Sequence, residues 1–227
     1  MFPFSNVQQR RTSKKRRLLC FDLDNTLIAS NQCHLRAYQL AFKKQHVPQR
    51  IPNKKILQYF GEGSRRIVRC LFPRAPAAFI EQIVKDHDFF VRTQTWKTAK
   101  IMPSAWDVLQ RLRRHWKLAL ISNCNHGIIT ALLRAAHIPR RWFTIIIGQD
   151  QVRHPKPAPD ELLKAEHIAH LKAAYFIGDS IYDVRAGKRA GVKVIALPSG
   201  VHTARQLARE KPYKLITTIR ALLQFLQ

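Results

Sequence analysis

Asp22 and Asp24 stand one residue apart, directly after the apolar run Leu18-Leu19-Cys20-Phe21. Only 14 acidic residues face 40 basic ones in the whole chain, so paired carboxylates at this place are not ordinary surface decoration. The run before them reads as a short buried strand. Charged groups at the end of such a strand are costly unless something pairs with them. A hard cation with oxygen ligands is an economical partner, since it offsets the repulsion between carboxylates. One carboxylate is then free to act as a nucleophile and the other as a proton carrier.

Three later positions extend this chemistry. Ser122 and Asn123 follow an apolar run over 117–122, just ahead of a helical pattern. A hydroxyl and free backbone N–H groups at a helix start form an anion cradle; an ordinary cap near Asn125 explains the same residues. Lys156 is set among Pro155, Pro157 and Pro159. Such stiffening suits either a fixed ammonium that binds phosphate and balances the aspartates or a solvated lysine in a rigid turn. Asp160 reads as the cap of the next helix. Gly178-Asp179-Ser180-Ile181-Tyr182-Asp183 closes the set. Gly178 permits a tight turn, and Asp183 lies one helical turn beyond Asp179, although acids at a helix N-terminus also suit its dipole.

The elements that must hold these groups follow from periodicity. Strands are expected at 117–122, 143–147, 174–178, 193–197 and around 213–217. Helices are expected at 126–136, 159–167 and 181–190, with a last one to about 226. Ser104, after Pro103, is expected to cap a helix bearing Trp106, Val108, Leu109 and Leu112. This alternation argues for an α/β fold, a doubly wound parallel sheet with helices on both faces. Ligands of such sheets bind beyond the carboxyl ends of the strands, where every residue named above falls. Residues 31–97 instead read as purely helical, with helices near 33–46, 64–72 and 77–91 punctuated by Pro48, Pro52, Pro73 and Pro76. They form an inserted cap, leaving 18–30 and 98–227 as the core and 1–17 as a basic tail.

The 227 residues suit one α/β domain with an insertion, and a hydrophobic fraction of 46% supplies a sizeable core. Cys20, Cys33, Cys70 and Cys124 form no CxxC pair and read as reduced thiols. No apolar stretch reaches the roughly 18 residues that span a membrane, and the apolar run after the basic cluster is broken by Asp22 and Asp24, unlike a signal peptide. The expected location is the cytoplasm. A formal charge of +26 suits anionic substrates, and a nucleic-acid partner is the rival from another class. The run Arg10–Arg17 is either a solubilising leader or an arm for such a partner.

Taken together, these segments resemble the haloacid dehalogenase superfamily of phosphohydrolases. Phe21-Asp22-Leu23-Asp24-Asn25-Thr26-Leu27 is similar to its first motif, with Asn25 where many members have glycine. Ser122, Lys156 and Gly178–Asp183 match the second, third and fourth. The loop Tyr59-Phe60-Gly61-Glu62-Gly63-Ser64-Arg65-Arg66-Ile67-Val68 and the run Gly187–Val192 are similar to those of phosphoglycolate phosphatases. The resemblance implies a Rossmann-like core with a helical cap, Mg2+ as cofactor and a small phosphorylated metabolite as substrate. It implies Asp22 as nucleophile, Asp24 as proton carrier, and Lys156, Ser122 and Asn123 as holders of the phosphoryl group. It places the metal on Asp22, the backbone carbonyl of Asp24, and Asp179, with Asp183 orienting either the metal's waters or Lys156. Glu62 and Arg65 are the expected substrate contacts from the cap. An acid at position 24 favours phosphate esters over halides, because an alkoxide leaving group needs a proton and a halide does not. Pyrophosphatase, nucleotidase and sugar phosphomutase activities are alternatives on the same scaffold, and a nucleic-acid-binding protein with a vestigial phosphatase core is a further one. His34, His126, His154 and His167 are expected in solvated or cap-facing places.

Overall fold

The computed structural model describes residues 17–48 and 50–226; the basic leader before Arg17 lies outside them. The chain opens with β1 (Leu18–Phe21), every residue of which is buried. A strand covered on both faces must be a continuous apolar run, and Leu-Leu-Cys-Phe is one. A short β2 (Ile28–Ala29) follows. Then come the cap helices α1 (Asn31–Lys44), α2 (Asn53–Leu57), α3 (Ser64–Leu71) and α4 (Ala77–Thr93). Their apolar stripes meet in a core of their own, with Tyr38, Ile56, Val68, Ile80 and Ile83 at its centre.

The chain returns through β3 (Lys100–Ile101), which pairs antiparallel with β2. The rest alternates: α5 (Ala105–Leu112), β4 (Lys117–Ser122), α6 (His126–Ala135), β5 (Phe143–Gly148), α7 (Asp160–Ala169), β6 (Ala173–Gly178), α8 (Ile181–Arg189), β7 (Lys193–Ala196), α9 (Ala204–Arg209), β8 (Lys214–Leu215) and α10 (Leu222–Phe225). Six strands make one parallel sheet in the order β5-β4-β1-β6-β7-β8. The α/β, doubly wound reading therefore holds. From central β1 the chain winds to one edge through β4 and β5, then crosses to β6 and the other edge. The register aligns Phe21 with Leu120 and with Ile177, so three strands end at one level. Burying side chains such as Phe21, Phe176 and Leu109 contributes roughly 1.5–3 kcal/mol each.

Local details depart from expectation for definable reasons. Ser104 does not cap α5. Ala105 N–H donates to Met102 O, and Ser104 has φ 64°. Met102-Pro103-Ser104-Ala105 is thus a type II turn, with proline in the position that fixes φ and Ser104 in the left-handed one. Asp160 does not cap α7 either: it is the first helical residue, and its Oδ2 accepts from His154 N and Nδ1. The β2–β3 ribbon, α2 and α9 are too short to show a period, and β8 is only two residues long.

Gly187 shows how tightly the layers meet. A Cβ there would lie 2.2 Å from Val194 Cγ2, so α8 rests on β7 without an intervening side chain. Gly187→Ala is expected to destabilise the protein by about 1–3 kcal/mol through overpacking, read as a lower melting temperature. Arg189→Ala, at an exposed position of the same helix, is expected to stay within about 0.5 kcal/mol.

Candidate active site

The carboxyl ends of β1, β4 and β6 converge on one buried ammonium. Lys156 Nζ donates to Asp22 Oδ1 at 2.6 Å, to Asp183 Oδ1 at 2.7 Å and to the Ile121 carbonyl at 3.3 Å. Burial opposes the charge on Lys156, but Asp183, Asp22 and Glu161 outweigh it and raise its pKa well above the ordinary value. Asp183 is fully engaged, since its Oδ2 accepts from Ser180 N and Ser180 Oγ. Asp183 thus holds Lys156 through Oδ1. Glu161, buried beneath, accepts from Lys156 N, and burial pushes its pKa up to about 7.

One ammonium does not balance this many carboxylates. Asp22, Asp179 and Asp183 each offer an oxygen within 4.8 Å of the others, and all three are buried. Burial, opposed by Lys156 but reinforced by Asp183 and Asp24, raises the Asp22 pKa. Burial, Asp22 and Asp183 raise that of Asp179. Asp179 Oδ1 receives only the Thr26 hydroxyl. Its Oδ2 presses so close to Gly200 that a Cβ there would sit 1.7 Å away. Such a hard, oxygen-only donor set with uncompensated negative charge fits Mg2+. Ser122 is buried at the end of β4. Its Oγ accepts from Cys124 N and lies 3.5 Å from Asp24 Oδ2. The Asn123 side chain bridges two loops. Nδ2 donates to the Gly61 and Lys156 carbonyls, tying cap loop to lysine loop.

Asp24 faces the cap. Ser30 Oγ and Cys124 Sγ donate to it, and His34 Nε2 lies 3.1 Å from its Oδ1. Burial raises its pKa, but His34, Ser30 and Cys124 outweigh that and bring it down to about 2. His34 Nδ1 meets His87 Nε2 at 3.1 Å, His87 Nδ1 meets Asp88 Oδ1 at 2.9 Å, and Asn125 Nδ2 donates to Asp88 Oδ2 at 2.6 Å. This line runs from core to cap and back to core. Burial lowers the His87 pKa, so its ring is neutral, with Nδ1–H toward Asp88 and Nε2 accepting from His34 Nδ1–H.

The cap lies over a cleft lined by residues of both cap and core. Tyr38, Phe60, Ile67 and Val201 give it apolar walls. At Gly61, whose φ is 96°, a Cβ would meet the Tyr182 ring at 2.9 Å; at Gly63 it would meet Gln149 Oε1 at 2.3 Å. The glycines are where cap and core touch. Glu62 lines the cleft, accepting from Tyr182 Oη at 2.6 Å and pairing with Arg66. Arg65 does not line it. Its long side chain turns to solvent and pairs with Glu81. Ser64 stands in the wall instead, with a buried Oγ that has no hydrogen-bond partner among the described residues; the same holds for the buried Asn123 Oδ1.

The expectation of a solvated or cap-facing histidine fits His34 in place but not in partnership. His126 meets Arg140 and His154 meets Asp160, and neither lines the cleft. His87, Asp88 and Glu161 went unnoticed in the sequence. Their only sequence signal is acid or imidazole on otherwise amphipathic helices.

A family model described as haloacid dehalogenase-like hydrolase matches residues 19–197. A phosphoglycolate phosphatase from Pseudomonas fluorescens is 33% identical over 220 residues, covering 91% of this chain and 78% of its own. A pyrophosphatase PpaX from Oceanobacillus iheyensis is 26% identical, with 91% and 95% covered. The crystal structure of a hydrolase from Pseudomonas syringae superposes with a TM-score of 0.81 at 22% identity, over 93% of this chain and 98% of that one. With the aspartates, serine and lysine of four loops gathered at one rim, the chain belongs to the haloacid dehalogenase-like hydrolases.

Proposed function

We propose that this protein hydrolyses small phosphate monoesters through an aspartyl-phosphate on Asp22, with Mg2+ as cofactor. The observation that carries the proposal is Lys156, buried between Asp22 and Asp183 where Asp24, Asp179 and Ser122 also converge. Asp22, Asp179 and the Asp24 carbonyl would hold the ion. When bound, it neutralises the carboxylates and the developing charge on the phosphoryl oxygens.

Lys156 takes Oδ1 of Asp22, and no hydrogen bond takes Oδ2 among the described residues; Oδ2 is the free atom for attack. As its bond to phosphorus forms, the bond to the leaving oxygen breaks. Ser122 and the Asn123 N–H hold the phosphoryl oxygens. Asp24 delivers a proton to the leaving alkoxide, drawing it from the His34 Nε2 side. Water then attacks the aspartyl-phosphate and gives its proton back to Asp24, releasing phosphate and restoring Asp22. The cap excludes bulk water meanwhile.

Names of the relatives favour 2-phosphoglycolate, with pyrophosphate second. A specific observation favours another reading. Among the described residues, the cap lends no lysine or arginine to the cleft wall. A carboxylate or second phosphate on the substrate would lack a charged partner, whereas an uncharged alcohol would meet Ser64 Oγ and Asn123 Oδ1. Phosphate release with 2-phosphoglycolate, pyrophosphate, nucleoside monophosphates and sugar phosphates separates these readings. Isomerisation without phosphate release would indicate a mutase.

Asp22→Asn is expected to reduce phosphate release to background while leaving the melting curve cooperative; persisting Mg2+-dependent turnover would refute the nucleophile. Chelation by EDTA is expected to stop turnover and added Mg2+ to restore it, with tryptophan fluorescence reporting that the fold survives. Asp24→Asn is expected to lower kcat/KM for an alkyl phosphate by about 10²–10⁴-fold, and for p-nitrophenyl phosphate far less, because a nitrophenolate leaves without a proton. His34→Asn and His87→Asn are expected to follow the same leaving-group bias with smaller losses. Equal losses on both substrates would mean that the histidines only hold the cap.

A further inference from the structure

The end of the sheet opposite the cleft has a charge pattern the hydrolytic site does not use. The register of the parallel sheet brings the starts of β5, β4, β1, β6 and β7 to one rim. In this protein each strand begins at an exposed base: Arg17 before β1, Lys117 in β4, Arg141 before β5, Lys172 before β6, Lys193 in β7 and Lys214 in β8. With strands about 4.8 Å apart, the five bases from Arg141 to Lys193 form a row about 19 Å long; Lys214 pairs with Ile195, level with the carboxyl end of β1, and lies outside it. The far rim carries Asp22, Asp24, Asp179 and Asp183, so the two ends of the sheet have opposite sign. Acids at the helix ends leading into β6 and β8 do not cancel the row. Glu166 and Glu210 accept from Lys172 at 2.8 Å and Arg185 at 2.6 Å, and the Lys172 side chain is still 86% exposed. Part of the basicity complements helix C-terminal dipoles, but that need is met by Arg111, Arg134 and Lys188 in the last turns of α5, α6 and α8.

Aromatic rings lie within the same row. Trp106 and Trp142 pack with centroids 4.5 Å apart, and the Arg113 guanidinium lies 5.0 Å from the Trp142 ring. Trp106 is 38% exposed. At the other edge Lys193 sits 4.6 Å from the ring of Tyr213, which is 53% exposed. Bases that track a phosphate backbone, interleaved with exposed rings, are what single-stranded nucleic acid binds. The charges neutralise phosphates, and any base can stack on a ring. An anionic lipid surface would use the charges but has no need of the rings.

We infer that the strand-start rim, from Trp106 and Arg141 at one edge to Lys193 and Tyr213 at the other, binds single-stranded nucleic acid. It does so without base-edge readout and independently of the hydrolytic cleft.

The test is fluorescence anisotropy of the full-length protein with labelled oligo(dT) and oligo(U) of about 15 nucleotides, between about 50 and 200 mM salt. The triple variant Lys117→Gln, Arg141→Gln, Lys193→Gln is compared with a charge-matched cap triple, Lys54→Gln, Lys55→Gln, Arg74→Gln, all at exposed positions. The rim triple is expected to weaken binding at least about tenfold and to lower the salt slope by about 2, at about 0.7 per lost phosphate contact. The cap triple is expected to bind like the unaltered protein. Trp106→Ala is expected to weaken binding without changing the slope. Equal weakening by both triples would assign binding to net charge and overturn the inference. So would no binding at the lowest salt, or an affinity indifferent to Trp106→Ala. Retention on phosphatidylserine–phosphatidylcholine vesicles with no oligonucleotide binding would overturn it in favour of lipid.

Discussion

A charged lysine removed from water and held between two aspartates constrains the whole core. An isolated buried ammonium is not tolerated, and Lys156 is stable because Asp22 and Asp183 arrive from β1 and α8 at hydrogen-bond distance. That demand fixes the level at which β1, β4 and β6 must end. It also explains why Asp183 takes two hydrogen bonds from Ser180: an acid locked in one rotamer locks the lysine, and the lysine locks Asp22. Carboxylates remain in excess even so, and the surplus gathers at Asp179.

The cap is joined to this arrangement by polar contacts that cross the cleft. Asn123 reaches Gly61, Tyr182 reaches Glu62, Asn125 reaches Asp88, and His34 reaches Asp24. In each, one partner belongs to each body. Asp24 therefore has its imidazole neighbour from the insertion and its enclosure from the same contacts.

Much of this was legible in the sequence because it depends on strands ending at fixed places. Apolar runs located β1, β4 and β6, and the residues just beyond them had to share a rim. The prolines around Lys156 left a fixed ammonium and a solvated lysine both open, and its burial decides between them. What stayed hidden depends on rotation and on contacts across long stretches of chain. Whether Ser64 or Arg65 faces the cleft is decided by how α3 turns on its axis, and a long guanidinium readily folds back to solvent to meet Glu81. His34 and His87 are 53 residues apart, and no local pattern signals that α1 and α4 will stack their rings. Ser104 misled because a serine after proline suits a turn and a cap alike.

The β2–β3 ribbon has a consequence for how such a molecule can change over time. Ile28 pairs with Ile101 and Ala29 with Lys100, so the two ends of the helical insertion are separated by no more than the gap between neighbouring strands, about 5 Å. A segment whose ends are already adjacent can be shortened, lengthened or exchanged with little loop-closure cost to the sheet. One wall of the cleft is thereby housed in a replaceable module, while the cluster around Lys156 is housed in a frame that never needs to be rebuilt.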